Sequence, residues 1–221
     1  MQQFVDFIYH QGQSVILPAL IGLVRWRKLQ AIDRPIILLC VFLVLNELVR
    51  RQMAIGGYRG YMTYNIGILV TGLLFLWQFV LWGIFKNNKW LIAALTATYC
   101  TVWSFDHFFL NSIHEFTHIF RVIMSCSLVV MSVAHLNNLI IEERAALYSN
   151  GRFIITVAIL ISYLYKIIVD TFFSPNLSPR FQEIMADANK IMVIGMYLLF
   201  LIGILCLPKR QTFFIPFSSP Q

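Results

Sequence analysis

The sequence predicts an all-α fold, a polytopic bundle of about seven transmembrane helices, and three observations predict it. Hydrophobic residues make up 59% of the 221 positions and charged residues only 12%, whereas soluble domains are about a quarter charged. The mean hydropathy is +0.73. Seven apolar stretches, most near the ~20 residues needed to cross a bilayer, fill the chain at 4–24, 35–50, 62–85, 90–110, 114–140, 152–174 and 188–207. A single transmembrane domain over 1–221 follows, with little left for a soluble catalytic or DNA-binding domain.

The first stretch opens on Asp6, His10, Gln11 and Gln13, so only 14–24 (SVILPALIGLV) is cleanly apolar. It either crosses or lies at the interface, with a kink expected at Pro18. MQQFVDF has no basic n-region and no A-x-A site follows, unlike a cleavable signal peptide. The second stretch ends in Asn46-Glu47-Leu48-Val49-Arg50-Arg51, and the third lies between Arg59 and Lys86. The fourth closes on Asp106 and His107. The fifth opens on His114 to His118 and reaches His135, Asn137 and Asn138. The sixth climbs from Arg152 past Lys166 and Asp170. The seventh starts at Asp187, Asn189 and Lys190 and is ended by Pro208. After Lys209 and Arg210, QTFFIPFSSPQ suits a tail on the inner membrane surface.

Loop cations set the orientation. Arg25, Arg27, Lys28, Arg34, Lys86, Lys89, Arg144, Arg152, Lys209 and Arg210 fall on one side, and Arg50, Arg51, Arg59, Arg180 and Lys190 on the other. The richer set belongs in the cytoplasm, which places the N-terminus outside and the C-terminus inside, in a bacterial inner membrane. Trp26, Trp82 and Trp90 then form a belt at the cytoplasmic level. The net charge of +7 is accounted for by these loops and does not point to nucleic acid. Cys40, Cys100, Cys126 and Cys206 share no close spacing and read as small core residues.

A charge within hydrocarbon costs several kcal/mol unless it is paired or wet. With the orientation above, Glu47, Asp106, His107, His118, Arg121, Lys166 and Asp170 gather near the outer face, while the inner half reads as a dry core apart from His135. Two readings follow. The charges pair among themselves, Glu47 with Arg50 or Arg51 and Lys166 with Asp170, or they line an outward pocket for a small ligand or ion. Arg121 would then meet an anion, and the carboxylates and His a cation or proton.

His114-Glu115-Phe116-Thr117-His118 matches H-E-x-x-H. On a helix, His114 and His118 face one way and would share one zinc, with Glu115 as general base for the metal-bound water. Glu142 and Glu143 are excluded as third ligand, because 24 helical residues separate His118 from Glu142 by about 36 Å. The third ligand must come from Asp106, His107, Asp170, Glu47 or Asp187. The sequence lacks the N-P-D-G-like segment of site-2-type intramembrane proteases and the last-span His pair of the ceramidase and progestin-receptor superfamily. It also lacks a retinal-binding Lys midway along its last span and the D-R-Y and N-P-x-x-Y receptor signatures.

Through DHFFLNSIHEFTHIFRV, AHLNNLIIEER and LPKRQTFFIPF, the chain resembles small bacterial seven-helix membrane proteins, a resemblance that carries no site residues with it. In layout it also resembles the input regions of bacterial membrane sensors. The leading expectation is a membrane protein with an outward polar pocket of Glu47, Asp106, His107, Arg121, Lys166 and Asp170. It would act as a ligand or ion sensor or as a subunit of a membrane complex. The competing expectation is a zinc-dependent intramembrane hydrolase built on His114, Glu115 and His118. The expected partners are the lipid bilayer, a small ligand or ion, and other membrane proteins.

Overall fold

The computed structural model describes residues 14–57, 60–86, 88–110, 113, 119–142, 147–172 and 179–208. Within them the chain is all-α, with seven α-helices: α1 (Ile16–Arg25), α2 (Arg34–Ile55), α3 (Tyr61–Leu81), α4 (Lys89–Phe105), α5 (Ile119–Glu142), α6 (Gly151–Phe172) and α7 (Pro179–Cys206). Short 3-10 turns, Ala31–Asp33 and Leu147–Ser149, precede α2 and α6, and five residues of π-helix, Asp106–Leu110, continue α4. Four helices, α3, α5, α6 and α7, are long and apolar enough to cross a membrane. α2 is long enough at 22 residues, but Arg34, Glu47, Arg50 and Arg51 dilute it. α4 has 17 residues before its π continuation, and α1 has 10.

Local chemistry sets the boundaries. Pro35 sits in the first turn of α2, where its missing N–H costs no bond. Asn88 caps α4, its Oδ1 accepting from the Leu91 amide at 3.3 Å, and Asn150 caps α6 by accepting from the Arg152 amide at 2.8 Å. α3 stops at Leu81 rather than 85 because the chain turns there. Gly83 takes φ +81° and Lys86 φ 44°, left-handed conformations that end a helix. Pro18 lies in the first turn of α1, where its missing N–H costs no helical bond. α2 runs on to Ile55, and α7 begins at Pro179 rather than 188, so Asp187 and Lys190 lie within a helix and not at its start.

Successive helices alternate in direction, as the contacts at each end show. One end joins the end of α1 to that of α7, through Arg25 Nη1 on the Ile204 carbonyl and Arg25 Nη2 on the Leu207 carbonyl. The same end joins the end of α3 to the start of α2, where Gln78 accepts from the Ile36 amide and donates to the Ile32 carbonyl, both at 2.8 Å. We call this the Asp33 end. At the other, the Asp170 end, the close of α4 meets the starts of α3 and α5, and the close of α6 meets the start of α7.

Between the two ends, Phe75, Phe79, Tyr99, Phe120, Leu128, Ile155, Ile159, Tyr163 and Phe200 are buried. Phe75 and Tyr163 meet edge to face at 5.6 Å. The periphery exposes Leu17, Leu20, Val24, Val130, Val133, Ile191 and Leu205, side chains suited to a lipid surround. Cys40 belongs to the core, whereas Cys100, Cys126 and Cys206 are exposed, so the core reading holds for Cys40 alone.

α6 and α7 cross at two glycines. A Cβ on Gly151 would lie 2.4 Å from the Gly203 carbonyl oxygen and 2.6 Å from the Leu207 nitrogen. Both obstacles are backbone and cannot swing away. Gly151→Ala is therefore expected to destabilise the protein by about 2 kcal/mol, in the range of core overpacking. Gly195→Ala, which meets nothing within 4 Å, is expected to leave stability unchanged. Thermal melting of both variants in detergent checks the pair.

Candidate functional site: two polar clusters at opposite ends of the bundle

At the Asp170 end, a line of side chains from four helices runs through Tyr64 of α3. Arg121 of α5 donates to Asp170 of α6 at 2.6 Å, with both side chains largely withdrawn from solvent. The Arg121 guanidinium also lies 5.7 Å from the centre of the Tyr64 ring. Arg50 of α2 stands 5.2 Å from the same ring and pairs with Glu47 one turn back at 3.1 Å. The phenol therefore bridges two ion pairs by cation–π contact. The expected pairing of Glu47 with Arg50 is present. The expected Lys166–Asp170 pair is replaced by Arg121–Asp170, because a fork-shaped guanidinium from a facing helix reaches the carboxylate better than a lysine on the same helix. Lys166 is half-buried, with its ammonium 4.4 Å over the Tyr163 ring.

Asp106 and His107 sit one level away, in the π segment after α4. Both are buried. Asp106 Oδ2 accepts from the Phe120 amide at 3.0 Å, serving the first turn of α5 as a capping carboxylate supplied from another helix. His107 stacks on Trp103 at 4.7 Å, and its Nδ1 donates to the Trp103 carbonyl at 2.9 Å. That bond fixes the tautomer and leaves the lone pair on Nε2. Trp103 in turn donates to the Asn65 carbonyl at 3.0 Å, and the Asn65 side chain donates to the Ile113 carbonyl at 2.9 Å. The structure thus gathers Glu47, Arg121, Lys166 and Asp170, with Asp106 tied in through the residue beside Arg121. Asp187 pairs with Lys190 on the exterior at 2.9 Å.

His114, Glu115 and His118 lie outside the described residues, as do Asp6 and His10. Among the described residues, no three His, Cys, Asp or Glu converge as a metal-binding group. The chemistry of the donors still sorts the third-ligand candidates. Asp170 is held by Arg121 and Asp106 by an amide, while His107 is oriented as a metal-bound imidazole is, with Nδ1–H anchored on a carbonyl.

The Asp33 end is the larger departure from expectation, because the sequence reads it as dry. Asp33 is fully buried, and Arg152 of α6 grips it with two nitrogens, Nε to Oδ1 at 2.8 Å and Nη2 to Oδ2 at 3.1 Å. Trp82 Nε1 donates to the same Oδ1 at 3.0 Å, and Gln30 accepts from Arg152 at 2.9 Å. His135 lies flat on Trp82, with centroids 4.7 Å apart and planes 9° from parallel. Asp33 and Arg152 escape a sequence reading because both read as loop charges, Asp33 next to Arg34 and Arg152 in the first turn of α6. The available signal was an acid two residues ahead of Pro35, at a helix start, where acids are favoured.

Removing one partner of a buried pair leaves the other charge uncompensated. Arg152→Met is expected to cost about 3 kcal/mol, and adding Asp33→Asn to it to recover part of that loss. Detergent melting curves of the two singles and the double check this. Equal losses that simply add would contradict the pairing. Comparison of the chain with protein-family models, with curated proteins and with solved structures found no match.

Proposed function

We propose that the chain is an integral membrane protein that binds a small ligand or ion at the Asp170 end. It would act as a sensor or as a subunit of a larger membrane assembly. In this reading all seven helical segments enter the bilayer of a bacterial inner membrane, with the N-terminus and the Asp170 end outside. The loop cations support that orientation, because the described ones that the sequence assigns to the cytoplasm (Arg25, Arg27, Lys28, Arg34, Lys86, Lys89 and Arg152) lie at the Asp33 end. The observation that carries the reading is the meeting of Glu47, Arg50, Arg121 and Asp170 from three helices around Tyr64 of a fourth, with Lys166 one turn from Asp170 on α6. Ionisable residues in membrane helices mark ligand and ion sites.

The balance of charge favours an anion. Two arginines and one lysine face two carboxylates, and among the described residues Lys166 makes no ion pair. A carboxylate or phosphate group beside Lys166 would give its ammonium the counterion that, among the described residues, it lacks. Inorganic phosphate and acetate serve as probes. Either is expected to raise the melting temperature of the wild type in detergent, and Lys166→Met to abolish the rise while retaining the fold. No shift with either probe, or the same shift in the variant, would contradict the anion site.

A zinc-dependent hydrolase is the second reading, and one contact favours it. The bond from the Phe120 amide to Asp106 ties the residue beside His107 to Phe120, which follows the H-E-x-x-H motif by two positions in the sequence. His114, His118 and His107 would hold the ion, and Glu115 would take the proton from a water that zinc activates. Mass spectrometry of metal content distinguishes the readings. The hydrolase requires about one zinc per chain, lost in His118→Ala and in His107→Ala. The ligand-binding reading expects no zinc in any of the three.

A further inference from the structure

The interface of α5 and α6 carries a polar group at almost every turn, from Asp170 to Asp33. The register follows from Arg121–Asp170 and the equal rise of two antiparallel helices. It places Ser125 level with Lys166, Leu128 with Tyr163, Ser132 with Ile159 and His135 with Thr156. Ser125, Ser132 and His135 are 1%, 0% and 3% exposed and occupy the inward stripe of α5. Leu128 lies on that stripe between the two serines, and at its level the buried phenol of Tyr163 supplies the polar group.

Three of these side chains have unmet hydrogen bonds. Among the described residues, Ser125 Oγ, Ser132 Oγ and both ring nitrogens of His135 have no partner. A buried hydroxyl on a helix ordinarily donates to the carbonyl one turn back, as Thr71 does to Gly67 and Thr156 does to Arg152, both at 2.7 Å. Ser127 of α5 donates in the same way to Met124 at 2.8 Å, whereas Ser125 and Ser132 do not. A neutral imidazole carries at least one N–H, and a buried donor is satisfied by protein or by ordered water. The groups around His135 are Phe79 of α3 and Trp82 just after it, Thr156 and Arg152 of α6, and Asp33, which accepts from Trp82 Nε1. None of the described ones supplies that bond.

We propose that the α5–α6 seam is a proton pathway through the bundle, in which ordered waters link Ser125, Tyr163, Ser132 and His135 between the Asp170 and Asp33 ends. Chains of such groups carry protons in membrane helices. Each hydroxyl and each water accepts a proton on a lone pair as it releases its own. His135 takes a proton on one ring nitrogen and releases one from the other. No group changes its final protonation state, and a pH gradient or membrane potential supplies the driving force. The flat Trp82 face steadies the imidazolium while it exists. This activity goes beyond the ligand-binding reading and needs no ligand in the outer cluster.

The test uses the full chain reconstituted in phosphatidylcholine and phosphatidylglycerol liposomes that contain a pH-sensitive dye. A potassium gradient with valinomycin imposes the potential. Wild-type liposomes are expected to acidify about tenfold faster than protein-free ones. His135→Phe, which keeps a ring on Trp82 but has no nitrogen, is expected to fall to the protein-free rate. Ser132→Ala removes one hydroxyl and no packing volume, and is expected to slow the flux severalfold. If the histidine variant does not fold, the serine variant decides. Wild-type flux at the protein-free rate, or full flux in either folded variant, overturns the proposal.

Discussion

A helix placed in hydrocarbon satisfies its own backbone but not its charged side chains, and that constraint organises this molecule. A buried ion whose counterion lies on another element also fixes how the two elements meet, as two of the ion pairs here do. Asp33 is the clearest case: fully buried ahead of α2, it accepts from Arg152 of α6 and from Trp82 at the close of α3. One carboxylate thereby joins three elements distant in sequence. Arg121 does the same at the opposite end, touching Asp170 and the Tyr64 face. Between these clasps the packing is close and mostly apolar, as where Phe75 meets Tyr163 edge to face.

The two clusters differ in composition, and the difference separates structure from candidate function. At the Asp33 end the acid has two hydrogen-bonding partners, both described, and its geometry is bidentate, the arrangement expected of a structural lock. At the Asp170 end the cations outnumber the carboxylates, and one of them, Lys166, rests on an aromatic ring. The same helices, α5 and α6, serve both clusters, so a change of charge at one end bears on the packing of elements that reach the other. That continuity gives a sensor or subunit a physical route from an outer event to the opposite loops.

Hydropathy made most of the fold legible. The stretches at 62–85, 114–140 and 152–174 correspond to α3, α5 and α6, because long apolar runs without proline have few alternatives to a helix. The boundaries were less legible where turn chemistry outweighs hydropathy. Gly83 ends α3 early, and RFQEIMADANK reads as polar although it forms the first turns of α7. The gathering of Glu47, Arg121, Lys166 and Asp170 followed from counting residues along alternating helices. Their partners did not, since the choice of Arg121 over Lys166 for Asp170 depends on which faces oppose each other. The Asp33 cluster was missed for the same reason. A charge beside a loop looks solvated until a helix from elsewhere in the chain is seen to cover it.

The central claim is that the Asp170 end forms a polar cup reached by water from outside the cell. Cysteine labelling in intact cells addresses it directly, using Lys166→Cys in a chain whose Cys40, Cys100, Cys126 and Cys206 are replaced by serine or alanine. The account predicts that a membrane-impermeant maleimide modifies residue 166 from the outside, without permeabilisation. Modification confined to inverted vesicles, or none from either side, would contradict it.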